Sequence, residues 1–175
     1  MAHCSGRNWN LAGLLGFGSF FVDHLLDIGY QDITVLDISE NAIERAKKRL
    51  GDKGNKVKWI IADAAEFILS EKYDFWHDRA TFHFLTDERE IGKYLNTINT
   101  SIKPTGYIVI GTFSDQGPEK CSGLEIKQYS EQTITALFKI CFKKIKCILI
   151  DHKTPTGTNQ NFIFCGFRRN QEIRS

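Results

Sequence analysis

The sequence is poor in the residues that divide a chain. Its 175 residues contain three prolines, and no stretch rich in Pro, Gly or Ser reads as a linker. One domain spanning 1–175 is the expectation, and 42% hydrophobic residues suffice for its core. Long apolar runs are missing. The longest, Leu11 to Val22, is shorter than the roughly 20 residues a membrane-spanning helix needs. With Arg7 before it, that run loosely imitates the apolar part of a secretory signal. No small-residue cleavage site follows cleanly, and Asp23 to Leu26 continue into a helical pattern. An excess of one charge is missing too: 23 Lys and Arg face 21 Asp and Glu, a net charge of +2. The basic residues are scattered among acids, which argues against a nucleic-acid face. The densest basic run, Lys143 to Lys146 (KKIK), reads as an edge strand charged against aggregation. Paired cysteines are missing as well. Cys4, Cys121, Cys141, Cys147 and Cys165 form no CxxC pair and no metal-like spacing. Reduced thiols, a cytoplasmic location and no metal centre are expected.

What is present is an alternation of strand and helix patterns. Ile33 to Ser39 is a short β-branched run, hence a buried strand. Ser39 can cap the helix that follows, in which Ile43, Ala46 and Leu50 recur at helical spacing before Gly51. Val57 to Asp63 is the next strand, and Ala64 to Leu69 a short helix. Tyr73 to Asp78 is another strand. Thr86 or Asp87 starts a helix whose apolar face is Ile91, Leu95 and Ile98. Pro104 and Gly106 punctuate a turn into the buried strand Tyr107 to Phe113. Ser130 opens a helix containing Ile134, Leu137 and Phe138. Two strands finish the chain, Phe142 to Ile150 and Asn161 to Phe167, joined by a hairpin-like loop with Pro155 and Gly157. This order predicts an α/β fold: a doubly wound, seven-stranded, mostly parallel sheet with an antiparallel last strand.

Doubly wound sheets bind ligands outside the carboxyl ends of their strands, so the residues there matter most. The first strand runs into Gly13–Leu14–Leu15–Gly16–Phe17–Gly18–Ser19. The second ends at Asp37, whose distance from the glycine loop suits a ribose-hydroxyl partner. The third ends at Asp63, followed by Ala64 and Ala65. The fourth ends at His77 and Asp78. Each acid can also serve as a local cap and nothing more; glycines upstream of acids at two successive strand ends favour a ligand.

These residues resemble class I S-adenosylmethionine-dependent methyltransferases, from about Ser19 to Arg169. The stretches YDFWHDRATFHFLTD, GTFSDQGPEKCSGL and HKTPTGTNQNF are similar to a group of small bacterial methyltransferases. That group is related to methyltransferase-like proteins that methylate protein lysines. In those relatives the fourth strand ends in Asp-Lys-Gly-Thr; Asp78, Arg79, Ala80 and Thr81 stand here. The resemblance implies S-adenosyl-L-methionine as cofactor. Gly16 and Gly18 would let the backbone approach its methionine part. Asp37 would accept hydrogen bonds from the ribose hydroxyls, with Ile38 on the adenine. Asp63 would receive the adenine amino group, with Ala64 beside it. Asp78 would lie near the methionine amino group or the nucleophile. Carboxylates suit these roles because an ionised acid only accepts. The resemblance fails at Gly13, where the family has an acid; no acid precedes Asp23.

Methyl transfer needs a base only when the nucleophile arrives protonated. Asp78 and His83 are the catalytic candidates, with His77 as a further possible base. Trp76 and Phe82 read as walls of the site or as core. His77, Lys120, Cys121 and His152, with Gln160, are candidates for the pocket of a small-molecule or protein acceptor. No histidine near Cys121 in sequence would make it a nucleophile. Two other functions compete. A methyltransferase-like binding domain without turnover fits the missing acid at Gly13. A nicotinamide-dinucleotide dehydrogenase shares the glycine loop and strand-end acid but not the antiparallel last pair.

Overall fold

The computed structural model describes residues 9–14, 20–67, 71–154 and 157–170. Gly16, Gly18 and Pro155 therefore lie outside the described residues.

Among the described residues, nine strands and four α-helices follow in order: β1 (Leu11–Leu14), α1 (Phe21–Asp27), β2 (Ile33–Asp37), α2 (Glu40–Leu50), β3 (Val57–Ile61), β4 (Tyr73–Arg79), α3 (Glu88–Ser101), β5 (Ile102–Phe113), β6 (Lys120–Cys121), β7 (Leu124–Glu125), α4 (Glu131–Phe138), β8 (Phe142–Lys153) and β9 (Asn159–Arg169). Seven of the strands form one sheet in the order β3-β2-β1-β4-β5-β9-β8. All neighbours in it are parallel except β9, which runs antiparallel to both β5 and β8. The expected fold is thus the observed one. The KKIK strand lies at the edge, in β8.

Local chemistry sets the helix starts. Ser39 Oγ accepts from Ala42 N at 3.2 Å and opens α2. Lys47, Lys48 and Arg49 fill its last turn, where positive charge suits the helix dipole. Asp87 caps α3 by accepting from Arg89 N at 2.7 Å. Ser130 and Thr133 form a reciprocal capping box on α4. The helices sort onto two faces. Val22 and Leu25 of α1 and Leu50 of α2 pack with Leu11, Ile33, Val35 and Val57. On the other face, Tyr94 and Ile98 of α3 and Phe138 of α4 pack with Trp76, Ile108 and Phe167. Each fully buried aliphatic or aromatic chain contributes about 1.5–3 kcal/mol. No helix among the described residues is long and apolar enough to cross a membrane.

Three expectations are corrected. Ala64–Glu66 forms a turn where a helix over Ala64 to Leu69 was expected; Glu66 N donates to Asp63 O at 3.1 Å. Pro104 and Gly106 do not separate β5 from what precedes. The strand already pairs at Ile102 with Tyr73, then bulges before Tyr107 meets Phe75. Pro104 is tolerated because a bulge frees its missing N–H from the ladder. Finally, the expectation of reduced thiols fails at one pair. Cys147 and Cys165 are disulfide-bonded, with Cα atoms 4.1 Å apart. They are 18 residues apart in sequence but directly opposite in the β8–β9 ladder. Cys121 and Cys141 are free thiols.

Candidate functional site

Strand order fixes where a ligand can sit. From β1 the chain moves outward to β2 and β3; at β4 it returns to β1's other side. The crevice at such a reversal, beyond the carboxyl ends of β1 and β4, is the binding place of doubly wound sheets.

On the β2–β3 side the structure brings Asp37 and Asp63 to the same edge. Ala62 N donates to Asp37 O at 3.2 Å and fastens the two strand ends together. Asp37 is half-buried, and its Oδ1 accepts from Ser39 N at 2.7 Å. Its other oxygen accepts no hydrogen bond among the described residues. Burial is the main influence on the Asp37 carboxyl and raises its pKa, while the Ser39 bond opposes that. Asp63 is exposed, and its Oδ1 accepts from Ala65 N at 2.8 Å. Each acid therefore braces its own turn and keeps a second oxygen. Next to Asp37, Ile38 is 70% exposed, an apolar side chain at the rim of the crevice. Ala64 is buried behind Asp63.

These groups fit an adenosine moiety. A half-buried carboxylate with an unused oxygen suits a diol, and the exposed isoleucine beside it suits an aromatic base. On β1, Gly13 lies in register with Val35 and His77. Among the described residues, a Cβ there would meet only His77 O, at 3.9 Å.

The β4 end differs from expectation. Asp78 is 0% exposed. Its Oδ1 accepts from Thr81 N at 3.1 Å, and its Oδ2 accepts a short hydrogen bond from the Tyr94 hydroxyl of α3. Trp76 Nε1 donates to that same hydroxyl oxygen at 3.4 Å. Burial pushes the Asp78 carboxyl up to about 6. Buried within this network, Asp78 holds the strand end in place and does not face the crevice. Tyr94 was missed in the sequence because it lies on the apolar face of α3. Trp76 and Phe82 are core, packed against Tyr94 and, for Phe82, Tyr129.

His77 packs under α1: its ring stacks on Phe21 with centroids 4.1 Å apart. The structure thus places the His77 ring in packing contact with α1. Burial, then the charge of Arg79, lowers its pKa to about 4. His83 is 0% exposed, stacked on Phe113 at 4.6 Å, and neither ring nitrogen has a hydrogen-bond partner among the described residues. Burial lowers its pKa to about 4.

Lys120 and Cys121 form one side of a small ribbon, β6–β7, turned by Ser122 and Gly123, both at positive φ. Such values match the primed turn of tight hairpins. The segment after the ribbon returns over the β4 turn, where Lys127 N donates to His83 O at 2.8 Å. His152 lies on β8 at the same sheet edge as the end of β5, edge-on to Phe162 at 6.4 Å. The structure thus brings His152 near Arg79 and Phe162, two residues the sequence reading did not single out as functional.

A central sheet of this order, with acids at its strand ends around the switch point, defines a nucleotide- or nucleoside-binding α/β domain. The model of the methyltransferase domain family matches residues 15–106, and the chain belongs to that family. It is 34% identical over 105 residues to a malonyl-[acyl-carrier protein] O-methyltransferase of Anoxybacillus flavithermus, covering 58% of this chain and 38% of that protein. A second such enzyme, from Ilyobacter polytropus, is 28% identical over 161 residues, covering 91% and 55%. The chain thus spans about half or less of the length of these relatives. Among solved structures, it is similar to the N-methyltransferase NodS of Bradyrhizobium japonicum in complex with S-adenosyl-L-homocysteine. The TM-score is 0.73 at 17% identity, covering 93% of this chain and 79% of that one. At that identity the likeness is one of fold.

Proposed function

We propose that the chain transfers a methyl group from S-adenosylmethionine to a small molecule or a protein side chain. The observation that carries this reading is Asp37. It is a half-buried carboxylate with one oxygen fixed by Ser39 N and the other unused, beside exposed Ile38 at the edge of the crevice. The relatives support it by name: one kind is an O-methyltransferase, the other an N-methyltransferase. An oxygen or nitrogen acceptor follows for this chain.

S-adenosylmethionine would supply an electrophilic methyl group on a sulfonium. Asp37 would take the ribose hydroxyls, Ile38 would cover the adenine, and Asp63 would accept from its amino group. Asp78 acts from behind, through Thr81 N and the Tyr94 hydroxyl, by fixing the turn after β4. Holding reactants in line is the main contribution a protein makes to such a displacement. His83 stays uncharged at neutral pH, so one of its ring nitrogens is an N–H donor and the other an acceptor. With a pKa of about 4 and no exposed surface it is a weak base packed on Phe113, which argues against its removing a proton from the acceptor. Lys120, Cys121 and His152 would border the acceptor. A cytoplasmic location belongs to the same reading, although bonds such as Cys147–Cys165 are rare in reducing compartments.

Incubating the protein and a cell extract with methyl-tritiated S-adenosylmethionine tests this. Label should appear in a product only when the protein is present, and Asp37→Ala should reduce it at least about tenfold. No transfer by a folded protein across extracts and panels of amines, acids and phenols would contradict it.

A further inference from the structure

Arg79 is the charged group at the crevice that the reading above leaves unused. It ends β4 and lies in register with Gly111 of β5, which faces Phe164 of β9. Residues directly across a ladder share a face, so these three form a row. A Cβ on Gly111 would come 2.3 Å from Phe164 Cε1: the Phe164 ring occupies the space over the glycine. Phe162, two residues before Phe164, shares that face. The guanidinium carbon of Arg79 is 5.9 Å from the Phe162 ring centroid.

Arg79 is only half-buried and forms no ion pair among the described residues. Other cations near the sheet are engaged: Lys103 with Asp74, Lys127 with Glu88, Lys144 with Glu131. The backbone after Arg79 is held firmly. Ala80 has φ 64, and its N–H donates to Gly111 O at 2.9 Å. A non-glycine residue in that region costs about 1–3 kcal/mol and persists only where its surroundings enforce it. A guanidinium on an aromatic ring, at the end of a rigid strand beside the switch point, is an oxyanion site waiting for its partner. The fork matches a carboxylate with two parallel hydrogen bonds, while the guanidinium carbon stays within cation–π range of the Phe162 ring. One unpaired positive charge matches one carboxylate better than a doubly charged phosphate.

We propose that Arg79, set beside the buried Phe162 ring, anchors a carboxylate of the methyl acceptor. This rests on the methyltransferase reading for the word acceptor. The acceptor class is then a small carboxylic acid, and Arg79 sets specificity for it. A carboxylate held through both oxygens is a handle, so the methylated atom lies elsewhere on the molecule.

Calorimetric titration with benzoate, benzamide and phenyl phosphate tests this, on the protein alone and on the protein saturated with S-adenosylhomocysteine. Benzoate should bind at least about tenfold more tightly than benzamide or phenyl phosphate. Arg79→Gln should remove that preference, and Arg79→Lys should keep only part of it. Arg168→Gln should leave it intact; Arg168 also lies over a ring of this face, Tyr107, at 5.6 Å. S-adenosylhomocysteine should bind Arg79→Gln as it binds wild type. Equal binding of benzoate and benzamide, no benzoate binding, or tighter binding of phenyl phosphate would overturn the proposal. So would a parallel loss of S-adenosylhomocysteine affinity in Arg79→Gln, which would assign the guanidinium to the cofactor's own carboxylate. Failure of wild type to bind S-adenosylhomocysteine would instead overturn the methyltransferase reading, and the benzoate titration of the protein alone would still report on Arg79.

Discussion

Burial turns Asp78 from an expected contact into a support. The strand-end position was legible in the sequence; its environment was not. The partner that buries it, Tyr94, comes 16 residues later, on a helix read only for its apolar face. At Asp37 and Asp63 the local reading of a strand-end acid is the one observed: each braces its own turn through one carboxylate oxygen. Titration follows from these environments. The Asp78 pKa is raised to about 6, so its protonated form is favoured in the fold. That contribution is fully present below the unfolded pKa of about 3.9 and is lost as pH rises through about 6. His77 and His83, lowered to about 4, act in the opposite sense. Their contribution is present above the unfolded value of about 6.5 and is lost as pH falls toward 4. Urea unfolding from about pH 4 to pH 7.5 should therefore show Asp78→Asn gaining on wild type by on the order of 3 kcal/mol. A difference that does not change with pH would refute the buried ionisable Asp78.

At the scale of elements, periodicity located the long strands and the capped helices. It failed where geometry departs from any period. The bulge in β5 reads as a turn because Pro104 and Gly106 are turn residues. In the structure they allow the strand to continue past an irregularity, with Thr105 at φ 68. A Cβ at Gly106 would lie 2.7 Å from Ile102 Cγ2 and 3.0 Å from the carbonyl oxygens of Asp74 and Lys103. Backbone oxygens cannot step aside as a side-chain tip can. Gly106→Ala should cost about 1–3 kcal/mol by denaturant unfolding; an unchanged midpoint would show that the bulge relaxes freely. The β6–β7 ribbon, two residues a side, was too short for any pattern to reveal. The turn at Ala64–Glu66 was misread because two alanines favour helix, while Asp63 closes a local turn over them.

At the scale of the molecule, alternation of strand and helix sufficed for the sheet, its mostly parallel sense and the antiparallel strand near its end. The place of the site followed from topology, since strand ends and a reversal point are properties of order. What order could not supply was the third dimension of that edge. The approach of Arg79, His152 and Phe162 depends on β9 returning beside β5, and the Cys147–Cys165 bond on the register of a hairpin. The glycines Gly16 and Gly18 remain a sequence expectation. The most direct measurement is calorimetric titration of the protein with S-adenosylmethionine. Micromolar binding in wild type, weakened at least about a hundredfold by Asp37→Ala, is the predicted result. A folded wild-type protein that gives no binding heat, or an Asp37→Ala variant that binds as tightly as wild type, would contradict it.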